Sequence, residues 1–213
     1  MKTAIVAGTT GLIGSQLTGL LLNDDYYDKL IVLSRKPLEI KNSKFVNLVV
    51  HYDNLAEHVD LLRGDDVFCC LGTTIKIAGS QQAFYKVDHD YPLSLATVTQ
   101  SRGAKQYLIV TAMGSDKNSS IFYNRVKGEV EEDLKKVGFE TLHILQPSML
   151  IGPRTEKRRG EAIGQSVMKV LGFLIPDKYK AIESLKVAKA MIAIARSGQK
   201  GTHVHDSAEL QNY

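Results

Sequence analysis

Short runs of apolar residues alternate along the chain with segments in which apolar residues recur every three or four positions. Uninterrupted apolar runs of this length predict strands buried on both faces, and the longer recurring pattern predicts amphipathic helices. The predicted strands span 4–7, 30–33, 45–50, 67–71, 107–110 and 141–145. The predicted helices span 12–23, 80–102, 122–138 and 185–197, and Pro92 is expected to kink or split the second of these.

Strands that alternate with helices in this order predict an α/β fold, with a doubly wound, mostly parallel sheet covered by helices on both faces. A chain of 213 residues is long enough for one domain with a sizeable core. We therefore expect a single domain over 1–213, with a core over about 1–150 and a small C-terminal cap over about 151–213. The cap contains a basic loop at 154–159, an apolar helix near 161–174 and a candidate late strand at 202–205.

Composition narrows the environment of the protein. Hydrophobic residues make up 44% of the chain, which is typical of a globular protein, and the net charge of +4 is too small to indicate nucleic acid. No apolar stretch reaches the ~18 residues that a membrane helix requires, and the N-terminus lacks the pattern of a secretory signal. Cys69 and Cys70 are adjacent in an apolar run, so we expect buried free thiols, as in a reducing compartment. These features predict a cytoplasmic protein without nucleic-acid or membrane partners, and they leave the oligomeric state open.

Glycines at positions 8, 11 and 14 follow the first predicted strand and open the first predicted helix. Glycine lets the backbone turn tightly, and it lets a pyrophosphate approach without meeting a Cβ atom. The free N–H groups of the new helix, together with its dipole, favour a negatively charged phosphate. The turn therefore predicts a dinucleotide site, and the alternative is a tight strand-to-helix turn without a ligand.

The end of the second predicted strand indicates which dinucleotide binds. NAD sites usually place Asp or Glu about 20 residues after the glycine turn, where it bonds the ribose 2′-hydroxyl. This chain has Ser34, Arg35 and Lys36 there instead. A guanidinium pairs with a 2′-phosphate and stacks on adenine, so Arg35 favours NADP, with NADPH preferred over NADH. The alternative is that Arg35 and Lys36 form a solvated strand end.

Two further loops fall at the carboxyl edge of the predicted sheet, where open α/β sheets bind ligands. Asp53 follows the third strand, where it either accepts a hydrogen bond from the adenine amino group or caps the next helix, and the sequence leaves both roles open. Leu71, Gly72 and Thr73 follow the fourth strand, and Gly72 lets the backbone pass close to the ribose.

Tyr123 and Lys127 stand four positions apart in a predicted helix and so share one face of it. A nearby ammonium stabilises the phenolate, and lowering a tyrosine pKa by ~2 units requires ~2.7 kcal/mol. Tyr123 can then protonate a carbonyl oxygen while hydride arrives from nicotinamide, and Lys127 can also bond the nicotinamide ribose. This spacing is common by chance, so its weight comes from its position after the fifth strand of a nucleotide-binding sheet.

Motifs at five places resemble those of the short-chain dehydrogenase/reductase superfamily. They are GTTGLIG at 8–14, SRK at 34–36, CCLGTT at 69–74, YNRVKGE at 123–129 and QPSMLIGP at 146–153. Over residues 2 to about 155, the chain is similar to the atypical branch that includes the Tat-interacting protein and small bacterial NAD(P)H-binding oxidoreductases. The resemblance implies a Rossmann fold and an NADP(H) site formed by Gly8, Thr9, Thr10, Gly11, Leu12, Ile13, Arg35, Leu71 and Gly72, and we expect Ser34 and Thr73 in the same site. It also implies that Tyr123 and Lys127 are catalytic and that Pro147 and Ser148 lie beside the nicotinamide.

One position departs from the superfamily pattern. Active members usually carry Ser or Thr at the end of the fifth strand, where the hydroxyl bonds the substrate carbonyl. Thr111 is the first candidate and Ser115 the second, while a different register places Ala112 there. Loss of such a donor costs ~2.7–4 kcal/mol in the chemical step.

Three functions are compatible with this set of residues. The first is an NADP(H)-dependent oxidoreductase acting on a small carbonyl or alcohol substrate, with Tyr123, Lys127 and Thr111 as catalytic residues. The second is a non-catalytic NADPH-binding regulator that contacts a protein partner. The third is a sugar-nucleotide epimerase-like enzyme, for which little chain remains to build the sugar pocket.

Two other groups of side chains are candidate sites. The basic residues of 154–159 form either a solvated turn or part of the substrate pocket. His203 and His205 share one face of the candidate late strand, but no third ligand is apparent, so no metal is expected.

Overall fold

The computed structural model describes residues 1–152 and 179–213, and its main sheet has seven parallel strands within these residues. The strands are β1 (Thr3–Ala7), β2 (Lys29–Ser34), β3 (Phe45–Val49), β4 (Asp66–Cys69), β5 (Gln106–Val110), β6 (Thr141–Gln146) and β9 (Gly201–Asp206). A separate parallel pair is formed by β7 (Leu150–Ile151) and β8 (Ile182–Glu183). The order across the main sheet is β3-β2-β1-β4-β5-β6-β9. Successive strands are added outward on one side of β1 up to β3 and then on its other side from β4, so the switch point lies between β1 and β4. Ligands of doubly wound sheets bind at the carboxyl edge of this switch point.

Helices cover both faces of the sheet. One face is covered by α1 (Leu12–Leu22), α6 (Ser184–Ala195) and the short α7 (Ser207–Leu210). The other face is covered by a 3₁₀ segment (Tyr52–Leu61), α4 (Tyr91–Ser101) and α5 (Phe122–Lys135). The connection after β4 contains α2 (Ile75–Ala78), α3 (Gln81–Tyr85) and a π-helical turn (Lys86–Asp90). No helix in the described part of the chain is both long enough and apolar enough to span a bilayer.

Each central strand contributes to two cores because its successive side chains point to opposite faces. In β1, Ala4 and Val6 pack with α1 and α6, whereas Ile5 and Ala7 pack with α4 and α5. All four side chains are fully buried. This two-sided burial explains why the strands lack polar alternation, and it confirms the predicted doubly wound α/β fold.

The predicted helix over 80–102 is interrupted by the π-helical turn, which lies before Pro92. In this turn the Tyr91 N–H donates to the Lys86 carbonyl, five residues back. A proline has no N–H and its ring collides with the carbonyl four residues earlier, which here belongs to Asp88. A wider turn relieves that collision, so Pro92 exerts its effect one turn upstream instead of kinking the helix at its own position.

The C-terminal residues extend the sheet. β9 pairs with β6 from Thr141↔Gly201 to Gln146↔Asp206, and α6 packs beside α1. The late strand expected at 202–205 is therefore the edge strand β9, and residues beyond 182 contribute to the same layers as the core. The expected basic loop at 154–159 and the helix near 161–174 lie outside the described residues.

Candidate functional site

The glycine turn brings α1 directly against the end of β1. Gly8 has φ +84°, and a Cβ there would lie 2.4 Å from the Cys70 carbonyl. A Cβ on Gly14 would lie 2.1 Å from the Gly8 carbonyl oxygen. Gly11 precedes α1 in an extended conformation, and no side chain caps the first turn of the helix. The backbone N–H groups of that turn are therefore left to water or a ligand, as a phosphate site requires.

A cavity of about 440 Å³ opens at the carboxyl edge of β1, β2 and β4, and we call it the edge cavity. The predicted cofactor residues that line it are Gly8, Thr9, Thr10, Gly11, Ser34, Arg35, Leu71, Gly72 and Thr73. Further lining residues, which the sequence did not predict, are Leu33, Tyr52, Cys70, Ile77, Ala78, Ala83, Val87 and Tyr91. Leu12 and Ile13 lie in the first turn of α1 and do not line the cavity, and the side chain of Ile13 is buried in the core.

Arg35 borders the edge cavity on an exposed turn after β2. The Ser34 hydroxyl shapes this turn, because it donates to the Lys36 carbonyl (2.6 Å) and accepts from the Asn47 amide (2.8 Å). Within residues 1–152 and 179–213, the guanidinium of Arg35 has no ion-pair or hydrogen-bond partner. Arg35 is therefore available to an anion, whereas the Ser34 hydroxyl is engaged in holding the turn.

Two hydroxyl groups beside the edge cavity are buried without a hydrogen-bond partner in the described chain. They belong to Thr9 and Tyr52, each 7% exposed. The Tyr52 ring stacks on Tyr91 at a centroid distance of 5.3 Å. An unsatisfied buried polar group costs about 1–3 kcal/mol, and a polyhydroxylated phosphate ligand would offer partners. These hydroxyls, the free guanidinium and the uncapped helix start fit a dinucleotide.

The structure rules out one of the two roles that the sequence left open for Asp53. It caps no helix, because His51 precedes the 3₁₀ segment without a side-chain cap. Its carboxylate instead binds Lys86 Nζ at 2.6 Å and accepts from the Tyr91 hydroxyl at 3.2 Å. The hydrogen bond from Lys86 lowers the pKa of Asp53. Asp53 does not line the edge cavity, and its contact with adenine stays a prediction.

Tyr123 and Lys127 lie in the first two turns of α5. Lys127 is 4% exposed, and its Nζ lies 2.8 Å from Oδ1 of Asp88, whose other oxygen accepts the Thr73 N–H at 2.9 Å. A Cβ added to Gly72 would lie 3.8 Å from Lys127 Nζ, so the ammonium reaches the rim of the edge cavity. Burial alone would lower the pKa of Lys127, but the charge and hydrogen bond of Asp88, together with the nearby Tyr123 and Cys69 side chains, outweigh burial and raise the pKa. Tyr123 packs on Phe84 with a centroid distance of 5.5 Å.

The Thr111 hydroxyl donates its hydrogen bond within the protein, whereas the sequence predicted a contact with the substrate carbonyl. It donates to Oε1 of the buried Glu131 at 2.5 Å, and the Gln146 amide donates to both oxygens of that carboxylate. Burial raises the pKa of Glu131. The second candidate, Ser115, donates to the Ala112 carbonyl at 2.7 Å. Both hydroxyl protons are thus engaged within the protein.

Pro147 and Ser148 lie directly after β6, at the same edge of the sheet. The Pro147 carbonyl accepts the Met113 N–H at 2.9 Å. The Ser148 hydroxyl donates to the Lys180 carbonyl and accepts from the Ser207 hydroxyl. Pro147 therefore links the ends of β5 and β6, Ser148 links the end of β6 to the C-terminal segment, and their place beside a nicotinamide stays a prediction.

Asp88 and Tyr52 are the main residues that the sequence did not indicate. Asp88 lies in a segment with a helical pattern, where a polar residue is expected on the exposed face. In the structure it lies in the π-helical turn, with its side chain buried. Tyr52 follows β3 and precedes Asp53. The only feature of the sequence that could have indicated it is an aromatic residue with a hydroxyl group just after the carboxyl end of a strand.

Comparison with known proteins gives two kinds of relative. No family model matches the chain. Protein HTATIP2 of Rattus norvegicus is 33% identical over 198 residues, which cover 90% of this chain and 80% of that protein. Protein FMP52 of Eremothecium gossypii, named as mitochondrial, is 32% identical over 216 residues, with 97% and 95% covered.

Two solved structures share this fold with the chain. MoeE5, in complex with UDP-glucuronic acid and NAD, has a TM-score of 0.73 at 16% identity and covers 95% of this chain and 75% of its own. The UDP-N-acetylglucosamine 4-epimerase of Methanobrevibacter ruminantium M1 has a TM-score of 0.72 at 18% identity, covering 96% and 76%. Identities this low support the Rossmann fold and no finer assignment.

The predicted cytoplasmic location is contradicted by the relatives. The FMP52 proteins of several fungi are named as mitochondrial. Free thiols and a missing secretory signal were the basis of the prediction, and they do not distinguish the cytosol from other reducing compartments.

The matches to HTATIP2 and FMP52 cover 90% and 97% of this chain, so both include the Tyr123–Lys127 pair and the FMP52 match also includes the glycine turn. The chain therefore belongs to the atypical short-chain dehydrogenase/reductase family that includes HTATIP2 and FMP52.

Proposed function

We propose that this protein is an NADP(H)-binding oxidoreductase that reduces a small carbonyl compound or oxidises the corresponding alcohol. The main observation in its favour is the approach of Lys127 Nζ to the rim of the edge cavity. Gly72 lines the cavity and lies beside Lys127 Nζ. Arg35 borders the same cavity, so one extended dinucleotide can reach from Arg35 to Lys127.

The chain offers a group for three parts of NADP(H): the pyrophosphate, the 2′-phosphate and the nicotinamide ribose. The free N–H groups at the start of α1 would hold the pyrophosphate, and Arg35 would pair with the 2′-phosphate. Lys127 would bond the nicotinamide ribose beside Gly72. The bound nicotinamide supplies or accepts hydride, and the NAD found with MoeE5 supports a nicotinamide dinucleotide in this fold.

Tyr123 is the proposed proton donor in the reducing direction. Its phenol gives the O–H proton to the carbonyl oxygen while the carbonyl carbon gains the hydride, so the product is an alcohol and Tyr123 is left as phenolate. The positive charge of Lys127 stabilises that phenolate, which takes a new proton from solvent. In the oxidising direction Tyr123 accepts the proton instead.

A second function is favoured by the positions of Thr111 and Ser115. Both hydroxyls donate within the protein, and Ala112 between them carries no donor in its side chain. A carbonyl oxygen would then rely on Tyr123 alone. This arrangement also suits a regulator that binds NADPH and contacts a protein partner without turning over a substrate.

Ligand-induced stabilisation tests the proposed cofactor. A ligand that binds only the native state at 100 times its Kd raises the free energy of unfolding by about 2.7 kcal/mol. We expect NADPH to raise the melting temperature more than NADH at equal concentration. The absence of any shift with either dinucleotide at millimolar concentration would refute the proposal.

A panel of small aldehydes and ketones, followed by nicotinamide absorbance, tests the chemistry. We expect Tyr123→Phe to bind NADPH as wild type does and to lose at least about a hundredfold in turnover. Equal turnover in the two proteins would exclude Tyr123 as the acid. Tight NADPH binding by wild type without turnover of any substrate would favour the regulator.

A further inference from the structure

The π-helical turn places Asp88 in an unusual position. Residues 86–90 complete one turn with an i to i−5 hydrogen bond from Tyr91 to Lys86, in place of the usual α-helical bond. Such turns are rare, and they occur frequently at functional sites. Here the wide turn directs Asp88 inward, where its side chain is 1% exposed.

Asp88 joins three segments that are distant in sequence. Its Oδ1 lies 2.8 Å from Lys127 Nζ on α5, and its Oδ2 accepts the N–H of Thr73, after β4, at 2.9 Å. A Cβ on Gly72 would lie 3.4 Å from Oδ1. The carboxylate therefore fixes the ammonium beside the backbone at the rim of the edge cavity.

Stability alone does not account for this buried ion pair. Removing two charges from water costs about as much as their attraction returns, and apolar pairs of similar volume are often as stable or more so. The acidic partner of the pair also lies in the irregular π turn. A chain under selection for stability alone would lose little by replacing both residues, so the pair is better explained by the position that it gives Lys127.

We propose that Asp88 is a positioning residue, which keeps Lys127 charged and directed at the ribose of the dinucleotide beside Gly72. The part of this proposal that concerns the ribose rests on the proposed function. The part that concerns the Lys127 charge does not, because it refers to the protein without a ligand. Asp88 itself does not line the edge cavity.

The charge of Lys127 can be followed directly in the ligand-free protein. Lysine labelled with carbon-13 at Cε gives a chemical shift that reports protonation, and Lys127→Arg identifies the signal. In wild type, we expect Lys127 to stay protonated at pH values above 10.5, the ordinary pKa of lysine. In Asp88→Asn, which lacks the carboxylate, we expect the midpoint to fall by about one pH unit or more. An unchanged midpoint would overturn the proposal.

Asp90→Asn is a matched control within the same π turn. Asp90 is about half exposed and bonds His89 instead of Lys127. We expect this variant to leave both the Lys127 titration and NADPH binding as in wild type. A shift equal to that of Asp88→Asn would indicate a general effect of removing charge from the turn and would overturn the specific role of Asp88.

NADPH affinity tests whether Asp88 acts through Lys127. We expect Asp88→Asn to raise the Kd by about tenfold, as for one lost charge-assisted hydrogen bond. The double variant Asp88→Asn/Lys127→Met leaves no unpaired charge, so it serves if the single variant does not fold. Its Kd should equal that of Lys127→Met, and a further loss in the double variant would overturn the proposal. If wild type bound no dinucleotide, the proposed function would fail, while the Lys127 titration would still test the ion pair.

Discussion

Thr111 Oγ1 lies 2.5 Å from Oε1 of Glu131, and both side chains are buried. The carboxylate receives further hydrogen bonds from the Gln146 amide at 2.9 and 3.1 Å. Burying this carboxylate without these donors would cost much free energy. The Thr111 hydroxyl proton is therefore used to satisfy Glu131. Thr111, which the sequence suggested as a ligand of the substrate carbonyl, thus donates its hydrogen bond to Glu131 instead.

Thr111→Val should therefore affect stability more than catalysis. Losing one donor to a buried carboxylate costs about 1–3 kcal/mol in the free energy of unfolding, measured by urea denaturation. We expect turnover to change less than about tenfold, whereas loss of an oxyanion donor reduces it by about 10²–10³.

Thr99→Val is the matched control for that substitution, because the Thr99 hydroxyl is buried and only bonds carbonyls of its own helix. It should cost less stability than Thr111→Val. A hundredfold loss of turnover in Thr111→Val with unchanged stability would restore Thr111 as the substrate ligand.

Arg35 should determine the preference between the two dinucleotides. Its guanidinium has no hydrogen-bond or ion-pair partner among residues 1–152 and 179–213, so we expect Arg35→Ala to leave stability near that of wild type. Charge-assisted hydrogen bonds contribute about 1.5–3 kcal/mol, so we expect the Kd for NADPH to rise by about ten- to a hundredfold while that for NADH stays within about twofold. Calorimetric titration with both ligands measures this.

Lys36→Ala is the control for Arg35→Ala, since Lys36 is the adjacent exposed cation and does not line the edge cavity. We expect it to retain the NADPH preference at the same salt concentration. An Arg35→Ala protein that still prefers NADPH, or a Lys36→Ala protein that loses the preference, would exclude Arg35 as the phosphate ligand.

Gly14 should be intolerant of even one added methyl group. Its Cβ would lie 2.1 Å from the Gly8 carbonyl oxygen, so Gly14→Ala must push α1 away from β1. We expect a loss of about 1–3 kcal/mol in unfolding free energy, as for other overpacked sites. NADPH binding should weaken at least tenfold, because the displaced helix start no longer meets the pyrophosphate.

Gly19→Ala provides the contrast within the same helix. Nothing lies within 4 Å of a Cβ at Gly19, and alanine in a helix interior is favoured over glycine by about 0.5–1 kcal/mol. This variant should be slightly more stable than wild type and bind NADPH equally well. Similar behaviour of the two variants would show that the close approach at Gly14 is unimportant.

The sequence was informative where the cause of a structure is local. Gly8 and Gly14 predicted the strand-to-helix turn because only glycine fits its backbone, and the apolar runs predicted the strands because both sheet faces are covered. Arg35 was placed at the cavity by its position after β2.

The sequence was uninformative where a role depends on a distant partner. Asp88 pairs with Lys127, 39 positions later, and no local pattern marks a carboxylate that a π turn directs inward. Thr111 was expected at a substrate because its sequence position does not reveal Glu131 behind it. The two-residue strands β7 and β8 are too short to produce a periodic pattern.

His143 should make the stability of the sheet edge depend on pH. Its imidazole is fully buried, with Nδ1 3.0 Å from His205 Nε2, while His205 also bonds Glu209 and His203 stacks on His143. Burial, reinforced by the two neighbouring histidines, lowers the pKa of His143 from 6.5 to about 4. Above pH 6.5 the group is neutral in both the folded and the unfolded chain, so it makes no pH-dependent contribution there.

Between pH 6.5 and about 4, the unfolded chain takes up a proton at His143 that the folded chain does not. The free energy of unfolding should therefore fall as the pH falls, by up to ~1.4 kcal/mol per pH unit and about 3 kcal/mol in total. Urea denaturation across this range, in wild type and in His143→Gln, isolates the contribution, because the variant should have the shallower slope. His51→Gln, whose imidazole is exposed, should keep the slope of wild type. Parallel curves for wild type and His143→Gln would mean that the buried imidazole is not what makes the folded state sensitive to acid.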